Sequence, residues 1–159
     1  TMIERFERFE EGLDVLRLLL TQDHSSYKGN WYTLKDAMNN PKGPQDPLPI
    51  CVGGAGLRRT IPAAASHAHH WNYGSPVMTP DDFRMRHKVF LDACAEIGRD
   101  PDEIMISTIV RYEGDLEGMV REAEAFAEAG VHMGIVSIPK TESPAIIEDV
   151  AEALLIVKS

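Results

Sequence analysis

The sequence predicts an α/β fold in which helices cover a sheet of parallel strands. Segments with helical spacing of apolar residues alternate with four short apolar segments rich in β-branched residues, and the alternation begins and ends on a helix. The four short segments are apolar throughout instead of alternating with polar residues. Strands of parallel sheets, which are buried on both faces, have this pattern. A glycine cluster joins the first such strand to the next helix.

The chain is predicted to open with an amphipathic helix over residues 2–21. Its apolar stripe consists of Ile3, Phe6, Phe9, Leu13, Leu16 and Leu20. Residues 22–48 are then predicted to form a long loop insertion that contains several prolines and glycines. Within it, the turn around Gly29, flanked by aromatic residues, predicts a small hairpin.

The first strand of the sheet is predicted at residues 49–52 and is followed by a helix over residues 57–68. Pro62 falls about two turns into that helix, where a missing N–H would bend it. Residues 69–73 are predicted to form the second strand. We expect its neighbours His69 and His70 to point to opposite faces, which argues against a metal shared with His67.

The second half of the chain has clear helix boundaries. Thr79 is a predicted N-cap with Pro80 in the first helical position, and Gly98 is predicted to end that helix. The remaining predicted elements are a strand over residues 104–110, a helix over 116–129, a strand over 133–138 and a helix over 144–157.

Gly53, Gly54, Ala55 and Gly56 form the predicted phosphate-binding turn, and Arg58, Arg59 and Thr60 follow them. Glycines allow backbone N–H groups to approach an anion, and the free N–H groups at a helix start favour negative charge. The alternative is that the glycines make a tight turn for steric reasons and that the arginines are solvated. Asn72, at the end of its strand, is a further candidate for lining the pocket.

Composition excludes some classes of function. The 159 residues include 16 basic and 25 acidic ones, for a net charge of −9, which argues against nucleic acid or an anionic membrane as partner. Cys51 and Cys94 lack metal-type spacing, so a reducing, cytoplasmic setting is expected, with Cys51 buried in its strand. No apolar run reaches the roughly 18 residues of a membrane span, and no signal peptide is recognised. Because Thr1 precedes Met2, we expect sequence upstream.

Other polar residues are weaker candidates. Trp71 is expected to pack against neighbours, while Arg111, Glu113 and His132 are possible pocket groups without an assigned role. The available serines, histidines and aspartates lack the spacing of a hydrolase. No residue is assigned a catalytic role.

Several motifs together resemble luciferase-like monooxygenases, especially their F420-dependent oxidoreductase branch. They are residues 53–60 (GGAGLRRT), 63–64 (AA) and 68–72 (AHHWN), with further agreement at 5–13 (RFERFEEGL), 98–104 (GRDPDEI) and 129–132 (AGVH). The chain departs from the pattern at His69, where the family has Asp, and at Pro62, which interrupts a helix that is continuous in the family.

The resemblance implies the C-terminal half of a TIM-type (β/α)8 barrel, with the four predicted strands as strands five to eight. Residues 1–159 would then be one partial domain, because a complete barrel needs roughly 250 residues. It also implies an oxidoreductase or monooxygenase that transfers hydride between F420, or alternatively FMN, and a small organic substrate. In this picture Gly53, Gly54, Ala55 and Gly56 hold the cofactor phosphate, with Arg58, Arg59, Thr60 and Asn72 nearby.

Two alternatives to this interpretation remain. The chain is a non-catalytic half-barrel that binds a phosphate-bearing ligand or pairs with another half-barrel, or the fold is an open doubly wound sheet. Four parallel strands that do not close leave unpaired edges and an apolar face, so self-association or a missing N-terminal half is expected.

Overall fold

The computed structural model describes residues 1–74, 79–155 and 157, and it has one layer of parallel strands with helices on one face. The helices are α1 (Met2–Thr21), α2 (Thr60–His67), α3 (Pro80–Ile97), α4 (Leu116–Glu128) and α5 (Ile146–Leu154). The strands are β1 (Ser25–Lys28), β2 (Thr33–Ala37), β3 (Cys51–Gly53), β4 (His70–Tyr73), β5 (Met105–Arg111) and β6 (Met133–Ser137). A short 3-10 helix, Pro101–Glu103, precedes β5.

The main sheet has the strand order β3-β4-β5-β6, and all three pairings are parallel. Helices α2, α3 and α4 each connect one strand to its immediate neighbour. This sequential order is that of adjacent strands in a (β/α)8 barrel, whereas a doubly wound sheet reverses its order at a switch point. The predicted half-barrel is therefore confirmed, and the doubly wound alternative is wrong.

The outer face of the sheet, which the helices cover, holds the core. Trp71 is fully buried and stacks on Phe90 of α3 with ring centroids 4.7 Å apart, and Tyr73 meets Phe83 edge-on at 5.2 Å. Other buried members of this core are Val52, Ile61, Ile104, Ile106, Val110 and Phe126. Packing of the aromatic residues of β4 against α3 thus fixes which side of the sheet faces the helices.

The inner face of the sheet, which carries the alternate residues of each strand, is open. Met105, Met133 and Ile135 are exposed by 41%, 37% and 43%. The prediction that the strands are buried on both faces is correct only for the outer face. Cys51, expected to be buried, is exposed because it lies on the edge strand β3 and its neighbour Val52 takes the outer position.

Helix boundaries are confirmed where capping residues define them. Thr79 Oγ1 accepts the Asp82 N–H at 3.2 Å, and Gly98 ends α3 in the left-handed conformation, with φ of 70°. The helix predicted over residues 57–68 begins three residues later, at Thr60, so Pro62 lies in its first turn. Because first-turn N–H groups have no intrahelical acceptor, Pro62 removes no helical hydrogen bond, which was the expected cause of a bend.

Two further predicted boundaries are wrong by a few residues. The strand predicted over residues 49–52 is Cys51–Gly53, and the last helix, predicted over residues 144–157, is Ile146–Leu154. The strand predicted from residue 69 begins one residue later, at His70. Strands β5 and β6 and helix α4 lie within a residue of their predicted bounds.

The predicted hairpin within residues 22–48 is confirmed. Strands β1 and β2 pair antiparallel, and Gly29 N–H donates to the Tyr32 carbonyl at 2.9 Å across the turn. The Glu11 carboxylate of α1 accepts the N–H groups of Asn30, Trp31 and Tyr32. A carboxylate that accepts three backbone N–H groups attaches the hairpin to the first helix.

None of the helices in the part of the chain that the structure describes is both long and apolar enough to cross a membrane.

Candidate functional site

The glycine turn, residues 53–56, follows directly from the carboxyl end of β3. Gly54 has a φ of +123°, and its N–H donates to the Asn72 carbonyl at 3.0 Å, so this amide continues the sheet. Its carbonyl accepts the Trp71 indole N–H at 2.9 Å. Both the N–H and the carbonyl of Gly54 therefore form hydrogen bonds within the chain. Because successive N–H groups of a strand point to opposite sides, the Gly53 N–H points away from β4, to the unpaired edge of β3.

The three glycines of the turn differ in what their side chains would meet. A Cβ at Gly54 would lie 3.0 Å from Thr60 Cγ2, and one at Gly56 would lie 2.9 Å from Thr60 Oγ1. The turn surrounds the Thr60 side chain, and this side chain leaves no room for a larger residue than glycine at positions 54 and 56. A Cβ at Gly53 would meet nothing within 4 Å. Packing within the chain therefore does not require glycine at position 53.

A polar clamp holds the turn from the side of α3. The Arg86 guanidinium donates to the Ala55 carbonyl and, through Nε, to the Asp82 carboxylate at 2.8 Å. Tyr73 donates its hydroxyl to the same carboxylate. The Arg86 and Tyr73 hydrogen bonds lower the pKa of Asp82, while burial and then Asp82 raise the pKa of Tyr73 to about 12.

Sequence reasoning missed this clamp. The spacing of Asp82 and Arg86, four residues apart on one helix, is typical of an ion pair. Their target, Ala55, lies in another segment, so no local pattern reveals it.

The arginines that follow the turn do not converge on it. Arg58 is exposed, and Arg59 pairs with Glu10 of α1 at 2.8 Å, with its guanidinium 5.9 Å from the Phe6 ring. The charge of Arg59 is therefore partly neutralised by an acidic neighbour.

A cavity of about 270 Å³ lies between the turn and α1. Its lining consists of Gly53 and Thr60 from the turn region and Met2, Arg5, Phe6 and Phe9 from α1. Arg5 thus brings a cation to the cavity that contains Gly53. Sequence reasoning missed Arg5 as a site residue, because its only signal was membership of a helical motif 48 residues before Gly53.

A polar cluster lies on the inner face, at the level of Gly53. Register pairs Gly53 with Asn72 and Asn72 with Ser107. Asn72 Nδ2 donates to Ser107 Oγ at 2.7 Å, and His70 Nε2 lies 2.6 Å from the same oxygen. Ser107 is fully buried, and burial lowers the pKa of His70.

The histidines near β4 have separate surroundings. His69 lies before the strand, and its Nδ1 accepts the Ile50 N–H at 3.1 Å, whereas His70 faces Ser107. His67 is half-buried in α2, and burial lowers its pKa. His132 resembles His69, because its Nδ1 accepts the Ile106 N–H at 3.0 Å.

Two further cavities lie away from the turn. One of about 540 Å³ is mainly apolar and lies between the sheet and helices α4 and α5, with Val136, Phe126 and Leu154 in its walls. A smaller one of about 220 Å³ contains Arg111 and Glu113, which the sequence singled out together, beside Asp115. His132 lines the larger cavity, so the three predicted pocket groups do not share a site.

Four parallel strands in sequential order, with a glycine turn at the carboxyl end of the first of them, have the arrangement of part of a (β/α)8 barrel. The family model described as luciferase-like monooxygenase matches residues 1–145. The chain belongs to the luciferase-like monooxygenase family, as its motifs indicated.

Comparisons with individual proteins agree with this assignment. The chain is 27% identical over 112 residues to pyrimidine monooxygenase RutA of Klebsiella pneumoniae, which covers 70% of this chain and 30% of that protein. The corresponding protein of Agrobacterium fabrum is 24% identical over 144 residues, covering 88% and 39%. The chain therefore spans about a third of the length of these curated relatives.

Among solved structures, an F420-dependent secondary alcohol dehydrogenase superposes with a TM-score of 0.80 at 17% identity, covering 94% of this chain and 62% of that one. The F420-dependent tetrahydromethanopterin reductase of Methanopyrus kandleri gives 0.66 at 14% identity, covering 91% and 59%. At these identities the likeness concerns the fold.

Proposed function

We propose that this chain is the cofactor-phosphate-binding portion of a flavin- or F420-dependent oxidoreductase. The observation that carries the proposal is the position of Gly53. It lies at the carboxyl end of the edge strand β3, lines a cavity, and is not required to be glycine by packing within the chain. A glycine of this kind marks a place where a ligand approaches the backbone closely.

The donors of this site are backbone amides and one side-chain cation. The proposed N–H donors are those of Gly53, Ala55 and Gly56. The Gly54 N–H is not among them, because it donates to the Asn72 carbonyl and attaches the turn to β4. Thr60 adds a hydroxyl and Arg5 a guanidinium from the facing helix. Charge-assisted hydrogen bonds from amides and arginine are the usual means of holding a phosphate.

Arg58 and Arg59, which follow the turn, contribute less to phosphate binding in this proposal than the sequence predicted. Arg59 shares its charge with Glu10, and Arg58 acts only by attracting anions to an otherwise acidic protein. Asn72 pairs in register with Gly53 on the neighbouring strand, and its proposed place is beyond the phosphate.

The proposed cofactor is F420, with FMN as the alternative. Both carry a phosphate on a flexible tail, so either can place a phosphate at the turn. When bound, either group supplies the hydride chemistry itself, so the chain's part is to hold and orient it. The substrate is proposed to be a small organic molecule. Both cysteines are free, which fits the proposed cytoplasmic setting.

The open inner face favours one second candidate. Apolar side chains such as Met105 and Ile135 are exposed there, and β3 has an unpaired edge. We propose as the alternative a half-barrel that pairs with another half-barrel, either a second copy or a separate segment. Sedimentation of a stable monomer of 17.7 kDa would contradict this pairing.

The test is calorimetric titration of the chain with FMN and F420 and with their counterparts without phosphate, riboflavin and the deazaflavin chromophore. The proposal predicts tighter binding of the phosphorylated ligands by about tenfold or more, as expected for a charge-assisted contact. Arg5→Met should remove most of this difference. Arg84→Met, an exposed arginine paired with Asp81, is the control of equal charge and should retain it.

Equal affinities for FMN and riboflavin, and for F420 and its chromophore, would contradict the phosphate role of the turn. If the affinity difference between phosphorylated and unphosphorylated ligands persists in Arg5→Met but is lost in Arg58→Met, the phosphate contacts Arg58 after the turn and not Arg5 of α1. This is the contact that the sequence predicted.

A further inference from the structure

Three consecutive carbonyls of the glycine turn, those of residues 54–56, are held from the outer layer of the fold. In chain order, they accept hydrogen bonds from the Trp71 indole, the Arg86 guanidinium and the Ile61 N–H. Trp71 stacks on Phe90 of α3, and Arg86 belongs to the same helix. Ile61 is fully buried in α2. All three carbonyls therefore point to the side of the turn that the helices cover.

The N–H groups of the same three peptide groups point the opposite way. In a planar trans peptide group, the C=O and N–H bonds are antiparallel. Holding these carbonyls towards the helices therefore directs the N–H groups of Ala55, Gly56 and Leu57 away from the helices. Within the described part of the chain, none of these three N–H groups has an acceptor, and Gly56 and Leu57 are exposed. Successive N–H groups on one side form a concavity that binds anions.

Arg86 is itself held in place. Its Nε donates to the Asp82 carboxylate at 2.8 Å while its Nη1 donates to the Ala55 carbonyl, and Tyr73 of β4 donates to the same carboxylate. The donors of a guanidinium lie in one rigid plane, so a fixed Nε also fixes the direction of Nη1. The Arg86 and Asp82 side chains are only 20% and 23% exposed, which partly shields their pairing from water. The position of the Ala55 carbonyl thus depends on the Asp82 carboxylate.

We propose that Asp82 and Arg86 are positioning residues for anion binding by the turn. Arg86 fixes the carbonyl of Ala55 and thereby directs the N–H of Gly56 to a bound tetrahedral oxyanion. The N–H groups on either side complete the site, which adds Leu57 to the donors named above. Because the anion is the cofactor phosphate of the proposed function, this positioning role rests on that function.

The sign of the Asp82 effect distinguishes positioning from charge. By Coulomb repulsion alone, a carboxylate near a bound anion weakens binding, so its removal should strengthen binding. As part of the clamp, Asp82 instead supports binding, because without it Arg86 is free to leave the Ala55 carbonyl for solvent. We therefore expect that loss of this negative charge weakens the binding of an anion.

The test is a calorimetric titration of the chain and its variants with FMN and riboflavin, which differ by the phosphate. FMN should bind the unsubstituted chain at least about tenfold more tightly than riboflavin does. Asp82→Ala should reduce this preference to about threefold or less, with the affinity for riboflavin unchanged. Asp81→Ala is the control, because it removes an equally charged, 93% exposed side chain of the same helix turn. It should retain the preference or increase it.

A second pair of variants keeps the charge constant. Arg86→Lys retains the positive charge, but a single ammonium group does not reproduce the fixed donors with which the guanidinium reaches Asp82 and Ala55 together. It should also reduce the preference to about threefold or less. Arg84→Lys makes the same change at an exposed position of α3 and should leave the preference unchanged. This pair carries the test if Asp82→Ala does not fold.

NMR spectra of the ligand-free variants separate reorientation of the turn from loss of the fold. Asp82→Ala and Arg86→Lys should shift the carbonyl carbon signal of Ala55 and the amide signals of Gly56 and Leu57. Signals of β5 and β6 should keep their positions, whereas a loss of the fold would move these as well.

A preference for FMN that persists in Arg86→Lys, or that persists or rises in Asp82→Ala, would overturn the positioning role and leave the phosphate site of the proposed function in place. Equal affinities of the unsubstituted chain for FMN and riboflavin, or binding of neither, would overturn the proposed function and the positioning role together.

Discussion

The outer and inner faces of the four-stranded sheet both carry large apolar side chains, but these side chains have opposite surroundings. On the outer face, Trp71, Tyr73 and Ile106 are almost completely buried against the helices. On the inner face, Met105 of β5 and Met133 and Ile135 of β6 are exposed, although Met105 is next to the buried Ile106.

The difference shows which residues the chain uses for its own folding. Outer-face residues are explained by contacts within the chain, such as the stacking of Trp71 on Phe90. Gly53 and Ile135 of the inner face are not explained by such contacts, because a Cβ at Gly53 would meet nothing within 4 Å and Ile135 is 43% exposed. Apolar and polar groups of the inner face are therefore available for a ligand or another protein segment.

The largest expected effect comes from removing the centre of the outer face. Trp71→Ala should lower the free energy of unfolding by about 3–5 kcal/mol, because it deletes a fully buried ring that packs on Phe90. Denaturation by urea measures this loss. Trp31→Ala is the matched control, since its half-buried ring contacts Arg8 at 4.2 Å and should cost about 1 kcal/mol. Equal losses would show that the outer core is not where we place it.

Breaking the clamp between the outer layer and the turn should have the next largest effect. Asp82→Asn should cost about 1.5–3 kcal/mol, because Arg86 and Tyr73 lose a charged acceptor. Asp81→Asn removes an exposed ion pair on the same helix turn and should cost less than about 0.5 kcal/mol. The same denaturation experiment compares them, and similar costs would mean that the clamp contributes nothing beyond surface charge.

Acidification should destabilise the chain through histidines on both faces of the sheet. Burial lowers the pKa of His70 on the inner face and of His87 in α3. The folded state then binds fewer protons than the unfolded state, so stability is complete above the unfolded pKa of about 6.5 and falls as the pH drops towards the folded pKa. Unfolding measured at pH of about 7.5 and about 5.5 should show the loss, and His70→Gln and His87→Gln should each reduce it. A loss unchanged in both variants would contradict this assignment.

The smallest effect is expected on the inner face. Ile135→Thr should change the free energy of unfolding by less than about 0.5 kcal/mol, because the side chain is 43% exposed. Ile106→Thr, at an outer-face position that is 2% exposed, should cost about 2 kcal/mol or more. Urea denaturation distinguishes the two. A loss at Ile135 as large as that at Ile106 would show that the inner face is covered, for instance by a second copy.

Local signals predicted most of the fold. Thr79, Pro80 and Gly98 act through neighbouring backbone groups, so the bounds of α3 follow from the sequence. The start of α2 was predicted too early, because Leu57–Arg59 have helical propensity whereas wrapping of the turn around Thr60 delays the helix.

The site was less predictable because its contacts are between distant segments. Glycines at 53–56 indicate a turn, yet only the structure separates Gly53 from the two glycines that Thr60 requires. Arg5 and Arg86 reach the turn region from α1 and α3, and Ser107 reaches Asn72 from β5. Burial of Cys51 was predicted wrongly, since an apolar strand pattern does not tell which face of this chain is covered.

The free backbone amides of the glycine turn, residues 53–56, are proposed to bind an anionic group of a cofactor. An NMR titration of the labelled chain with FMN tests this binding most directly. We expect large shifts of the Gly53, Ala55 and Gly56 amides and smaller shifts for Gly54, whose N–H is already bonded to the Asn72 carbonyl. Shifts confined to another region, such as the cavity beside Arg111 and Glu113, or identical shifts with riboflavin, would contradict the claim.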